Sequence, residues 1–134
     1  LLTTAIEDVK AIGFWDELTA HLYLVKIDSR RGRLNVPTDG HLADTYYTGV
    51  IDERGAGPLC DVMFFPTAVA DDLVRWRDYF ADGRIAEAPP SLGDFYASLL
   101  AHELAHCGTG PRGEPVARAW ERRARAALRR RADV

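Results

Sequence analysis

The residues best placed to do chemistry are His102, Glu103 and His106, which form an H-E-x-x-H pattern within Ala101-His102-Glu103-Leu104-Ala105-His106. On a helix, side chains four apart share a face, so both imidazoles can meet a single ion. Glu103 lies one residue on, about 100° round the axis, where it can reach a water on that ion without being a ligand. From this composition the pattern arises by chance with a probability under about 1%. The segment around it, Leu92 to Cys107, is apolar almost all round (Phe95, Tyr96, Leu99, Leu100, Leu104). A helix of that kind is buried on most of its surface. Three polar side chains on it must be paired or ligated, because an unpaired buried charge is expensive. A bound cation satisfies both imidazoles at once; the competing reading is two core histidines bonded to backbone beside an exposed Glu103.

Imidazole and carboxylate ligands around an open position favour Zn²⁺, here one ion per chain, with a third protein ligand and a water. The position six after His106 is Arg112, which cannot ligate a cation, and His21 and His41 lie far upstream. Two acids follow instead. Glu114 stands at the start of the next helix, which an antiparallel return brings back beside the histidines, and it is the favoured third ligand. Glu121 is the alternative, about 10.5 Å further along that helix. Their non-ligand roles are a charge at a helix N-terminus for Glu114, and an ion pair with Arg118 or Arg125 for Glu121.

His102, Glu103 and His106 resemble the signature of the zincin metallopeptidases, and a glutamate from the following helix resembles the gluzincin arrangement. Glu114-x-x-Ala117 is similar to the E-x-x-A element that carries the third ligand in several gluzincin families. The stretch from Phe95 to His106 is similar to the metallopeptidase segment of ArdC-type antirestriction proteins and to the peptidase domain of ImmA/IrrE-type regulators. The resemblance is specific over about residues 95–120, and Glu114 follows His106 at a shorter spacing than in those families. It implies peptide hydrolysis by a zinc-activated water, with Glu103 as general base and a peptide or protein as substrate. It also implies a strand edge beside the active helix on which an extended substrate pairs, with Leu59 to Phe65 as the candidate edge.

The elements that must position these residues are legible from patterning. Thr4 and Glu7 have capping-box spacing for a first helix, Gly13 breaks it, and Asp16 starts a turn running to about Ala20. Leu22 to Ile27, Thr45 to Ile51 and Leu59 to Phe65 are apolar and β-branched or aromatic, and predict strands. Leu34 to Val36 predicts a short fourth strand after a turn at Ser29 to Gly32, and Pro37 to Asp44 a loop. The turn residues from Asp52 to Pro58 suit a hairpin. Val69, Leu73, Trp76 and Phe80 recur at helical spacing, and Gly83 ends that helix. Ser91 with Asp94 caps the H-E-x-x-H helix, and Pro115 opens the last one, which runs to about Arg131. The expected fold is α+β and zincin-like: a small twisted sheet of three to four strands packed on helices, with residues 1–134 as one domain.

Composition bounds the alternatives. The 134 residues are 47% hydrophobic and 28% charged, ordinary for a folded domain, and no apolar run is long enough to span a membrane. The net charge of −3 divides unevenly: residues 112–134 hold 8 basic and 3 acidic side chains, giving +5, and the remainder holds 9 and 17, giving −8. A nucleic-acid-associated module built on the Arg-rich C-terminal helix is therefore one alternative, although the overall balance argues against it. A non-catalytic interaction domain with a structural zinc is the other. Arg129-Arg130-Arg131 reads as a frayed, solvated helix end, and Arg112 as a loop arginine able to steer a substrate carboxylate. Trp15, Trp76 and Trp120 read as core anchors. Tyr46, Tyr47 and Tyr96 read as core or strand aromatics, any of which could donate to an oxyanion. Cys107 is about 100° off the histidine face and reads first as a small buried thiol, with a Cys60–Cys107 bridge conceivable. No signal-peptide pattern is present, so a cytoplasmic location is the expectation; the first residue, Leu1, is compatible with a trimmed N-terminus.

Overall fold

In the computed structural model the described residues are 1–22, 24–29, 42–48, 58–109 and 113–133. The elements run α1 (Leu2–Ala11), α2 (Trp15–Thr19), β1 (Leu24–Ser29), β2 (Ala43–Thr48), β3 (Leu59–Phe64), α3 (Pro66–Ala81), α4 (Leu92–Thr109) and α5 (Glu114–Ala132). The architecture is a mixed α+β one, mostly helical, with a three-stranded sheet in the order β1-β3-β2.

The apolar circumference of α4 puts it at the centre. Every residue from Phe95 to Ala101 is buried, and so are Leu104 and Ala105, because α1, α5 and the sheet all pack on this helix. Ser98 is wholly buried, and its hydroxyl donates to the Phe95 carbonyl at 2.9 Å, which removes the cost of an unpaired oxygen. The N-terminal signal is local and works as expected: the Asp94 amide donates to Ser91 Oγ at 3.2 Å.

Strand β3 alternates, with Cys60, Val62 and Phe64 buried and facing the helices. It pairs in parallel with β1 (Val25 opposite Cys60, Ile27 opposite Val62) and antiparallel with β2 (Thr45 opposite Val62). Leu59 to Phe64 is therefore the central strand and not the substrate-pairing edge expected for it. Both of its ladders are occupied, and the edges of the described sheet are β1 and β2.

Other differences are smaller and have local reasons. Helix α1 starts at Leu2, ahead of Thr4, and its N-cap makes no side-chain hydrogen bond, so the Thr4–Glu7 pair lies inside the helix. Gly13 does end the segment, with φ of +82°. Helix α3 starts three residues before Val69, at Pro66, where proline's fixed φ suits the first turn. Ala43 and Asp44, expected in a loop, open β2. The short strand at Leu34 to Val36, most of the loop before β2 and the 52–57 turn lie outside the described residues, as do His41 and Arg112.

The tryptophans sit at the rim of the core. Trp120 packs edge-on against Phe14 with ring centroids 5.2 Å apart, and Trp76 against Phe95 at 5.9 Å. Tyr96 is buried against Phe64, and that burial pushes its phenol above the ordinary range. The side chains of Tyr46 and Tyr47 lie outside the described set.

Candidate metal centre

The site is built where α5 returns along α4. The helical repeat sets His102 and His106 one turn apart on one face, with their rings 4.9 Å apart. Their Nε2 atoms approach to 3.2 Å. Glu114, the first residue of α5, reaches both: Oε1 is 3.2 Å from His102 Nε2 and Oε2 is 2.7 Å from His106 Nε2. One ligand atom from each of the three residues falls within 4.8 Å of the others. Two donors on a tetrahedral zinc are about 3.3 Å apart, close to the spacing between the two imidazole nitrogens.

The donor set fits a cation on chemical grounds as well. His102 Nδ1 lies 2.8 Å from Glu121 Oε1, off the line of an ideal ring hydrogen bond and with no other polar partner. An acceptor on that side favours a proton on Nδ1, which would leave Nε2 able to accept, facing His106 Nε2 and the Glu114 carboxylate. Two imidazole nitrogens and a carboxylate that converge on one point are held together by shared protons or by a metal ion.

Electrostatics follow from the same packing. Burial acts to lower the His102 pKa, but the Glu121 contact and the charges of Glu103, Glu121 and Glu114 together outweigh it, and the net direction is upward. For Glu114 burial acts to raise the carboxyl, and His102, His106 and Arg118 outweigh it, leaving it below the ordinary range. Glu121 is likewise pushed down, burial being overcome by His102 and Arg125. The His102 and His106 side chains are largely covered, at 12% and 15% exposure, whereas Glu114 is 43% exposed. Of the three side chains, Glu114 is thus the one most accessible to solvent. Glu103 is 9% exposed, directly beside the ligand pair in sequence.

Of the residues singled out from the sequence, His102, His106 and Glu114 come together, and Glu121 sits on the far side of the His102 ring. Arg118 bonds Glu114 at 3.2 Å, and Arg125 bonds Glu121 at 2.5 Å. His21 lies outside the group; its Nε2 is 3.4 Å from the Cys107 carbonyl. Cys107 is not a free thiol: it is bridged to Cys60, which ties the residue after His106 to the central strand. Patterning also missed Glu87, in the connection before α4, which accepts from Arg125 at 3.1 Å and from Arg129 at 2.9 Å. No local spacing announces a contact spanning 38 residues. The arginine run is not a frayed end, since α5 continues to Ala132, with Arg129 on Glu87 and Arg131 on Asp8 at 2.9 Å.

No family model, curated protein or solved structure matches the chain.

Proposed function

We propose that the chain is a small zinc-dependent metallopeptidase in which His102, His106 and Glu114 hold the ion. The observation that carries this is the convergence of two imidazole nitrogens and one carboxylate within 4.8 Å, beside the buried Glu103. When bound, the ion supplies Lewis acidity, polarising a scissile carbonyl and lowering the pKa of a water toward neutrality. Glu103 would be the group that takes a proton from an attacking water as the water's oxygen bonds to the carbonyl carbon. The same carboxyl would deliver that proton to the leaving nitrogen as the C–N bond breaks. His102 and His106 contribute neutral imidazoles, and Glu114 a carboxylate whose lowered pKa keeps it ionised.

Structural zinc sites are closed by four protein ligands. Three of the described residues, His102, His106 and Glu114, come together, which is the protein-ligand number of catalytic zinc sites. That supports a catalytic reading over a structural one. The nucleic-acid alternative has less in its favour, because Arg118, Arg125, Arg129 and Arg131 each have an acidic partner within the chain. Among the described residues no helix is long and apolar enough to cross a membrane.

The test has two stages. Protein purified without chelators or an affinity metal is expected to carry about one zinc per chain, measured by plasma mass spectrometry. Glu103→Gln is then expected to keep that zinc and lose hydrolysis of a broad peptide library. Hydrolysis that survives in the Gln variant would sink the general-base role.

A further inference from the structure

We infer that Glu121 is a positioning residue for the metal centre, holding the proton of His102 on Nδ1, and that Arg125, keyed by Glu87, is the group that aims it. This rests on the metal-binding reading above but concerns residues outside the three ligands.

The geometry divides one imidazole between two glutamates of the same helix. Glu114 faces Nε2 and Glu121, two turns later, faces Nδ1 at 2.8 Å. The Glu121 oxygens are themselves divided, with Oε1 toward His102 and Oε2 on Arg125 Nη1. The guanidinium is confined in turn. Its side chain is 10% exposed, its Nε donates to Glu87 at 3.1 Å, and it lies over the Trp76 ring at 5.3 Å. Trp76 Nε1 donates to the Glu87 carbonyl at 2.9 Å, and Arg129 donates to the Glu87 carboxylate and to the Ala88 carbonyl. Charges therefore alternate along Glu121, Arg125, Glu87 and Arg129, each sign facing its opposite.

Two consequences follow for the site. A carboxylate facing Nδ1, even off the line of an ideal hydrogen bond, favours a proton on that nitrogen and makes Nε2 the better donor once an ion takes the Nε2 side, an arrangement whose loss typically weakens metal binding. Arg125 also holds Glu121 to the Nδ1 side of the ring, so that it does not compete with Glu114 for the ion.

The test uses Zn²⁺ alone, titrated into the full chain against a chromophoric chelator, together with nitrogen chemical shifts of the His102 ring in metal-free protein at alkaline pH. Wild type is expected to show the proton on Nδ1. Glu121→Ala is expected to lose that preference and bind zinc about 10–100-fold more weakly, while still reaching one zinc per chain at saturation. Glu121→Gln, isosteric and retaining an acceptor, is expected to fall between the two and guards against a folding defect. Arg125→Met is expected to weaken zinc in the same direction. Zinc affinity equal in wild type and Glu121→Ala overturns the positioning role and leaves the metal reading intact. Complete loss of zinc in Glu121→Ala, as for a ligand, also overturns it. If wild type binds no zinc, the metal reading fails, and the proton position on His102 still decides whether Glu121 sets the tautomer.

Discussion

His102 has a carboxylate on each ring nitrogen, and its ionisation is coupled to both. Its pKa is raised from the ordinary 6.5, while that of Glu121 is lowered from the ordinary 4.5. In metal-free protein the His102 contribution to stability is full below 6.5 and is lost as pH rises through the raised folded value. The Glu121 contribution is full above 4.5 and is lost as pH falls through the lowered folded value. Both are complete only between those two values, so the apo-protein's thermal midpoint is expected to peak in weak acid. Zinc needs the imidazoles unprotonated, so its stabilising effect grows in the opposite direction, with rising pH. Thermal scans with and without zinc across that range check both signs; an added zinc shift that shrinks toward alkaline pH would contradict this ligand set. The i, i+4 pairing of His102 and His106 and the neighbouring Glu103 were legible in sequence, because helical spacing is a local property. The role of Glu121 was not, because it depends on where the His102 ring sits relative to α5.

At the scale of elements, α4 is held from two directions. Glu114 draws α5 toward one face, and Cys107 bonds to Cys60 on β3. The bridge closes a sequence separation of 47 residues. Loop-closure entropy for a ring of that size corresponds to roughly 4 kcal/mol, and removing a native bridge commonly costs about 2–5 kcal/mol. The double variant Cys60→Ala with Cys107→Ala is expected to lose stability within that range in urea unfolding. A change below about 0.5 kcal/mol would mean that packing alone holds the helix end. Patterning left the bridge as a conceivable pairing behind the reading of Cys107 as a buried thiol, because two cysteines in different elements carry no register information. Their separation depends on β3 being the central strand with Cys60 on its inner face. That same placement removes β3 as a pairing edge for substrate.

For the whole molecule, a metal held between α4 and α5 would couple binding to folding. An ion that binds only the native state stabilises by RT ln(1 + [L]/Kd), about 2.7 kcal/mol at a hundredfold excess over Kd. Zinc is therefore expected to raise the thermal midpoint of the wild-type chain, and a chelator to reverse the rise. Glu114→Ala should show little of it, and an unchanged response in that variant would remove Glu114 from the ligand set. Disulfides persist in oxidising compartments and are rare in the cytosol. The buried Cys60–Cys107 bridge therefore runs against the cytoplasmic expectation drawn from the sequence.

The sequence by itself determined what repeats over a few residues. These are the H-E-x-x-H face, the Ser91 cap, the glycine stop after α1, and the all-round apolar character that buries α4. Such features depend on backbone geometry within one element, and their free energies are set there. Tertiary structure decided what depends on how elements meet. It set Glu114 on the Nε2 side of His102 and Glu121 on the Nδ1 side, joined Glu87 to Arg125, made β3 the central strand and paired Cys60 with Cys107. Each of these rests on a distance between segments far apart in the chain. Those distances follow from the joint packing of α4, α5 and the sheet, which no single segment encodes.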